Sequence, residues 1–130
     1  MNRVLVVIGI ILLAVGSIFY LSGGNVTNKN LYEVSLSQIQ ENIDSGSPLI
    51  DVRTPEEFAE SHAVGAINLP VEKIQTGDIP NVAKDRIIYL YCRSGRRATE
   101  AKTILEKAGF THVINITSLD NWKHLGGKAT

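Results

Sequence analysis

Hydrophobic and polar positions divide the chain into two regimes. From Val4 to Leu21 the sequence VLVVIGIILLAVGSIFYL contains no charged residue, and every Asp and Glu lies at or beyond Glu33. As a helix rising about 1.5 Å per residue this stretch measures about 27 Å, close to the roughly 30 Å hydrocarbon thickness of a bilayer. It predicts one N-terminal transmembrane helix, or a signal segment, over residues 1–24 and outside the globular core. A cleaved signal has an apolar region of about 7 to 15 residues and a small-x-small site. Here the run is longer and the one small cluster is Ser22-Gly23-Gly24, which favours a retained anchor, with secretion after cleavage as the alternative. Arg3 and the amino terminus precede the span while Lys29 follows it, a bias that sets the N-terminus inside and the rest of the chain on the outer, periplasmic or extracellular, side. Residues 25–30, NVTNKN, are polar and short, as suits a linker. Asn25-Val26-Thr27 and Asn115-Ile116-Thr117 match the glycosylation triplet, and both are read as chance occurrences of a short motif.

Residues 31–130 alternate between two periodicities. Ser35 and Gln38 form a capping box ahead of Leu36, Ile39 and Ile43, whose spacing predicts a helix ending near Gly46. Leu49-Ile50-Asp51-Val52 predicts a short buried strand. Thr54-Pro55-Glu56-Glu57 combines an N-cap, a proline at the first helical position and a glutamate three residues after the cap, which starts a short helix through Phe58. Ala66-Ile67-Asn68 predicts another strand, ended by Pro70. The unbroken run Ile87-Ile88-Tyr89-Leu90-Tyr91 is that of a parallel strand covered on both faces. Beyond it Ala98, Ala101, Ile104, Leu105 and Ala108 form one helical stripe stopped by Gly109. Val113-Ile114-Asn115 predicts a last strand before a less regular tail carrying Trp122. Strands alternating with helices imply an α/β domain built on a parallel sheet with helices on both faces.

Composition narrows the function classes. The chain has 130 residues, with 13 Lys and Arg balancing 13 Asp and Glu, so one globular domain fits and a basic nucleic-acid partner does not. The charge is unevenly placed: residues 31–84 carry three basic and nine acidic residues, and residues 85–130 carry eight and four. Either the basic part steers anions toward its own surface or the two parts pair with each other. His62, His112 and His124 are scattered without ligand spacing, so a metal site is not expected.

The chemistry concentrates at Cys92, the single cysteine. It stands at the carboxyl end of the predicted central strand, just before a glycine-containing turn and a helix start, where open α/β sheets bind ligands. Backbone N–H groups of the turn and the positive end of the helix favour a thiolate there. Arg93, Arg96 and Arg97 crowd positive charge around it, which an inert core cysteine has no use for. The pattern reads as a nucleophile or sulfur carrier with an anion site around it.

The segment Cys92-Arg93-Ser94-Gly95-Arg96-Arg97 resembles the Cys-x-x-Gly-x-Arg loop of rhodanese-like sulfurtransferases. Asp51-Val52-Arg53-Thr54-Pro55-Glu56-Glu57-Phe58 is similar to that family's Asp-Val-Arg strand and the turn after it, and His62 to Pro70 is similar to its His-x-x-Gly-Ala-x-Asn-x-Pro segment. The resemblance implies a single rhodanese-like domain, secreted or membrane-tethered. It implies a Cys92 persulfide that takes sulfane sulfur from an anionic donor such as thiosulfate and passes it to a thiophilic acceptor, cyanide or a thiol, with no metal or organic cofactor needed. The backbone of Arg93, Ser94, Gly95, Arg96 and Arg97 would cradle the sulfur and the arginine side chains would hold the donor. Asp51 and Arg53 would stand behind them, tying the strand end to the loop.

Phosphatase and arsenate-reducing relatives have a loop one residue longer, Cys-x5-Arg. Here the arginine is fifth and Ala98 sixth after Cys92, so a smaller ring of amides favours sulfur over a tetrahedral oxyanion. Two departures stand out. Thr117-Ser118 replaces a frequent Gly-Gly pair ahead of Trp122, and Ser94 stands where thiosulfate specialists often carry a second basic residue, which predicts a poor or surrogate role for thiosulfate. The alternatives are a non-catalytic membrane-tethered binding module, disfavoured by the intact cysteine loop, and a single-cysteine redox sensor, disfavoured by the lack of a resolving cysteine.

Overall fold

The computed structural model describes residues 35–130. The anchor or signal segment over 1–24 and the linker over 25–30 lie outside the described residues. Among the described residues no helix is long and apolar enough to cross a membrane.

The expected alternation is present. In chain order the elements are α1 (Leu36–Asp44), β1 (Leu49–Asp51), α2 (Pro55–Glu60), β2 (Ile67–Asn68), α3 (Val71–Gln75), β3 (Ile88–Cys92), α4 (Arg96–Lys107), β4 (Val113–Ser118) and α5 (Leu119–His124). Both sequence-read helix starts are made: the Ser35 hydroxyl accepts from the Gln38 N–H, and Thr54 and Glu57 form a reciprocal capping box with Pro55 at the first turn. The short helices α3 and α5 were not read from the pattern. Strand β4 continues through Ile116 to Ser118, three residues past Asn115.

The four strands are parallel in the order β2-β1-β3-β4. Strand β3 is therefore flanked on both sides, and its alternation divides the core. Ile88, Leu90 and Cys92 enter one apolar layer with Ile74 of α3 and Ala98, Ala101 and Leu105 of α4. Tyr89 and Tyr91 enter the other, with Ile39 of α1 and Leu119 and Trp122 of α5. Two tyrosines tolerate full burial because each phenol is satisfied. Asn42 Nδ2 donates to the Tyr89 oxygen at 2.7 Å, and the Ala63 N–H donates to the Tyr91 oxygen at 3.0 Å.

This strand order fixes where a site can form. The connection leaving β1 runs to β2 on one side of the sheet, and the connection leaving β3 runs to β4 on the other. The carboxyl ends of β1 and β3 thus flank the point where the winding reverses, and a crevice opens there. The residues delivered to it are Asp51 to Arg53 from β1 and Cys92 from β3.

Candidate active site

Cys92 is the last residue of β3, and only three residues separate it from the first turn of α4. Gly95 closes that turn with φ 91°, left-handed backbone that a side chain would strain. Space imposes the same choice, since a Cβ on Gly95 would stand 3.1 Å from Thr117 Cγ2. In this geometry the Gly95 N–H donates to Cys92 Sγ at 3.0 Å, so the sulfur faces one backbone donor at the start of a 12-residue helix. Cys92 is only 1% exposed, and it lies at a cavity of about 280 Å³. Arg53 and Arg93 contribute to the walls, with Glu57 and Glu60 of α2 and Leu119 and Asp120 of α5.

The predicted site residues take different positions. Arg93 is exposed and lines the cavity. Gly95 supplies the N–H facing the sulfur, while Ser94 and Arg96 are exposed and lie outside the cavity walls. Arg97 is held in a two-pronged ion pair with Glu57, at 2.7 and 3.0 Å. The hydrogen bonds from Arg97 hold the Glu57 carboxyl well below the usual range, at about 2, and Glu57 in turn raises the affinity of Arg97 for its proton. An arginine expected to face the donor is thus already neutralised by a residue of the acidic part of the chain.

Asp51 and Arg53 form a buried pair, not an ordinary surface one. Asp51 is 0% exposed and Arg53 8%. The Asp51 carboxylate accepts from the Arg53 backbone N–H at 2.9 Å and from its guanidinium at 2.6 to 3.0 Å. These bonds raise the Arg53 pKa above its ordinary value. The pair was expected to tie the strand end to the cysteine loop. Its guanidinium instead reaches the Ser61 carbonyl at 2.6 Å and lines the cavity itself. It also lies 5.7 Å from the centre of the Tyr91 ring, close enough for a cation–π contribution. Burial pushes the Tyr91 phenol up.

Sequence reasoning missed the acidic wall. Glu57 was legible as a capping residue, but its Oε2 both accepts from the Thr54 N–H at 3.1 Å and binds Arg97. Asp120 follows the Ser118 cap of α5, a helix whose only sequence signal is that cap. His62 turns its ring onto Phe58, stacked at 3.8 Å, with Nδ1 at 2.8 Å from the Phe58 carbonyl, and so shapes its own turn.

A parallel α/β sheet that ends a central strand in a buried cysteine, facing a backbone N–H at the point where the winding reverses, is the arrangement of an α/β domain with a cysteine loop at its ligand crevice. The sequence matches the rhodanese-like domain family over residues 35–125, and the chain belongs to that family. It is 39% identical over 71 residues to thiosulfate sulfurtransferase PspE of Escherichia coli, an alignment covering 54% of this chain and 68% of that protein. It is 32% identical over 103 residues to the putative sulfur carrier protein YrkF of Bacillus subtilis, covering 75% of this chain and 55% of the other. Among solved structures, a rhodanese with anions from E. coli superposes with a TM-score of 0.51 at 36% identity, covering 58% of this chain and 89% of that one. The human single-domain sulfurtransferase TSTD1 shares the fold, with a TM-score of 0.60 at 24% identity over 70% of this chain and 94% of its own. The chain is a thiosulfate sulfurtransferase-like enzyme.

Proposed function

We propose that this enzyme moves sulfane sulfur from an anionic donor such as thiosulfate to a thiophilic acceptor, cyanide or a thiol, through a persulfide on Cys92. The observation that carries the reading is the Gly95 N–H on Cys92 Sγ at 3.0 Å, at the start of α4 and beside an open cavity. In the first step the Cys92 thiolate attacks the outer sulfur of thiosulfate. A new S–S bond forms, the donor's own S–S bond breaks, and sulfite leaves with the bonding pair. In the second, the acceptor attacks the outer persulfide sulfur, and the Cys92 thiolate departs with the pair it first donated. Thiocyanate, or a new persulfide, is released.

The chain's residues serve these steps by position. Backbone N–H groups from Arg93 to Arg97 cradle the sulfur and stabilise negative charge as it develops, a function that preorganised donors perform at little reorganisation cost. Arg93 holds the donor from the cavity wall, Arg96 adds positive charge at the helix start, and Arg97 engages the donor by exchanging it for Glu57. Asp51 keeps Arg53 oriented at the opposite wall. The uncharged run over residues 4–21 supports a membrane anchor with the domain on the outer, periplasmic or extracellular, side, secretion after cleavage being the alternative. Small diffusible donors or membrane-bound partners are then the substrates within reach.

Incubation with thiosulfate followed by intact-mass measurement tests the reading. Wild-type protein is expected to gain the mass of one sulfur atom and to lose it on adding cyanide, with thiocyanate released. Cys92→Ser is expected to fold and gain nothing, because a hydroxyl cannot form the persulfide. Cyanide-dependent thiocyanate production by Cys92→Ser above background would overturn the assignment.

A further inference from the structure

The turn that aims a donor at the sulfur has no side-chain cap of its own. Gly95 is the N-cap residue of α4, and a glycine brings no capping oxygen. Its carbonyl is held instead by three donors: the Thr99 N–H at 2.8 Å, the Thr99 hydroxyl at 2.9 Å and Asn115 Nδ2 at 3.1 Å. Thr99 lies within α4, but Asn115 reaches over from the neighbouring strand β4.

Strand β4 is irregular at that point. Leu90 pairs with Asn115 but Cys92 pairs with Ser118, so β4 carries one residue more than β3 between the two pairings, a bulge of the kind that re-aims side chains. The bulge is closed by Asn115 Oδ1, which accepts from the Thr117 N–H at 2.7 Å. Thr117 is the one non-glycine residue among those described with a positive φ, 74°, an unusual conformation for a β-branched side chain. Its Cγ2 stands against Gly95, 3.1 Å from where a Cβ would be. The bulge therefore meets Gly95 in two ways, by a hydrogen bond to its carbonyl and by a methyl that occupies the space a side chain there would need. Glycine, frequent here in the family pattern, would meet the backbone requirement at 117 without strain, so what sets this chain apart is the Thr117 methyl that fills the space beside Gly95.

We propose that Asn115 and Thr117 are positioning residues for sulfur transfer: the β4 bulge holds Gly95 so that its N–H stays on the Cys92 sulfur and the loop keeps its anion-binding shape. The proposal deepens the sulfur-transfer reading, and its first test does not depend on turnover. In the full-length chain, without any sulfur donor, Cys92 is alkylated in parallel by anionic iodoacetate and neutral iodoacetamide. The ratio of the two rates cancels the thiolate fraction and reports how the loop receives an anion. Thr117→Gly, which fits the backbone, is expected to fold and to lower that ratio severalfold, short of the roughly hundredfold that complete loss of one preorganised donor costs. Thr117→Val, which keeps the methyl, is expected to restore it. Asn115→Ala is expected to act like Thr117→Gly, and both should lower kcat for sulfur transfer more than they raise the donor KM. A wild-type ratio in folded Thr117→Gly overturns the proposal, as does a Thr117→Val variant as impaired as Thr117→Gly. If wild-type protein takes sulfur from no donor, the sulfur-transfer reading fails while the alkylation ratio still decides this one.

Discussion

Asp51 illustrates how burial changes the meaning of a charged pair. Two residues before Arg53 in sequence, it reads as part of the site, tying the strand end to the loop, with a surface ion pair, worth little, as the alternative, because charge patterns do not report depth. Placed at the carboxyl end of β1 with 0% exposure, it is, among the described residues, the only carboxylate paired with Arg53, whose side chain is 10% exposed. Asp51→Ala is therefore expected to lower unfolding free energy by about 3 to 5 kcal/mol, the range for leaving a buried charge unpaired; a loss below about 1 kcal/mol in urea unfolding would contradict it. Glu57 makes a different prediction. Its carboxyl is held at about 2 by Arg97, so the stabilisation from this pair is complete above its ordinary value and is lost as pH falls from there through about 2. Thermal melts of Glu57→Gln should show a shallower decline over that acidic window than wild type. On the proposed mechanism the same pair also controls donor binding. Removing Arg97 leaves Glu57 ionised at the cavity wall, so Arg97→Ala should raise the KM for anionic donors by about tenfold, or about 1.4 kcal/mol, and affect neutral donors less. Adding Glu57→Gln should recover part of that loss, and equal effects on both donor types would show that Arg97 serves structure alone.

At the scale of elements, what the sequence showed depended on length and chemistry. Helix α2 begins with the expected reciprocal capping box, while at α1 only the Ser35 half of the expected box is made; in the α4 stripe Ala98, Ala101 and Leu105 are buried, Ile104 is half-buried, and Ala108, the C-cap, is exposed. Helices α3 and α5, of five and six residues, are too short to display a 3.6-residue repeat, and tertiary packing of Val71, Ile74, Leu119 and Trp122 holds them in place. The bulge in β4 was equally hidden, since Thr117 gives no hint of positive φ. The Thr117-Ser118 departure from the family pattern pointed to altered packing beside the cysteine loop, while the bulge that produces it was not legible. The tail after α5 shows how a short helix is anchored. Trp122 Nε1 donates to the Lys128 carbonyl at 2.8 Å, and the chain crosses the indole so closely that a Cβ on Gly127 would stand 2.1 Å from Trp122 Cε2. A rigid, 2% exposed indole cannot yield at low cost. Gly127→Ala is expected to destabilise the fold by about 1 to 3 kcal/mol and to shift the tryptophan fluorescence toward that of the unfolded chain. An unchanged midpoint and spectrum would show that the tail repacks freely.

For the whole molecule, the open question is where the chemistry takes place. The uncharged run from Val4 to Leu21 is close to the length a bilayer requires. The domain described by residues 35–130 stands a short polar stretch beyond it. If the segment is retained, the full-length chain should remain with membranes after high-salt and carbonate washing. Side can be determined separately. Cys92 itself is a poor topology probe, being 1% exposed, so a cysteine is better placed at the exposed Lys107 at the end of α4 in a Cys92→Ser background. Labelling of Lys107→Cys by a membrane-impermeant maleimide in intact cells is the expected result, and protection until the membrane is opened would reverse the assigned orientation. Recovery of a shortened soluble protein beginning near Asn25 would instead identify a cleaved signal. The outcomes also bear on substrate. An anchored domain facing outward works on donors that diffuse to the membrane surface or sit in it, whereas a released one meets whatever sulfur compounds its compartment holds in solution. Comparing thiocyanate production by intact cells with that of lysed cells, using a donor that does not cross membranes, then tests location and chemistry together. Equal rates place the active loop outside, and activity that emerges only on lysis places it inside.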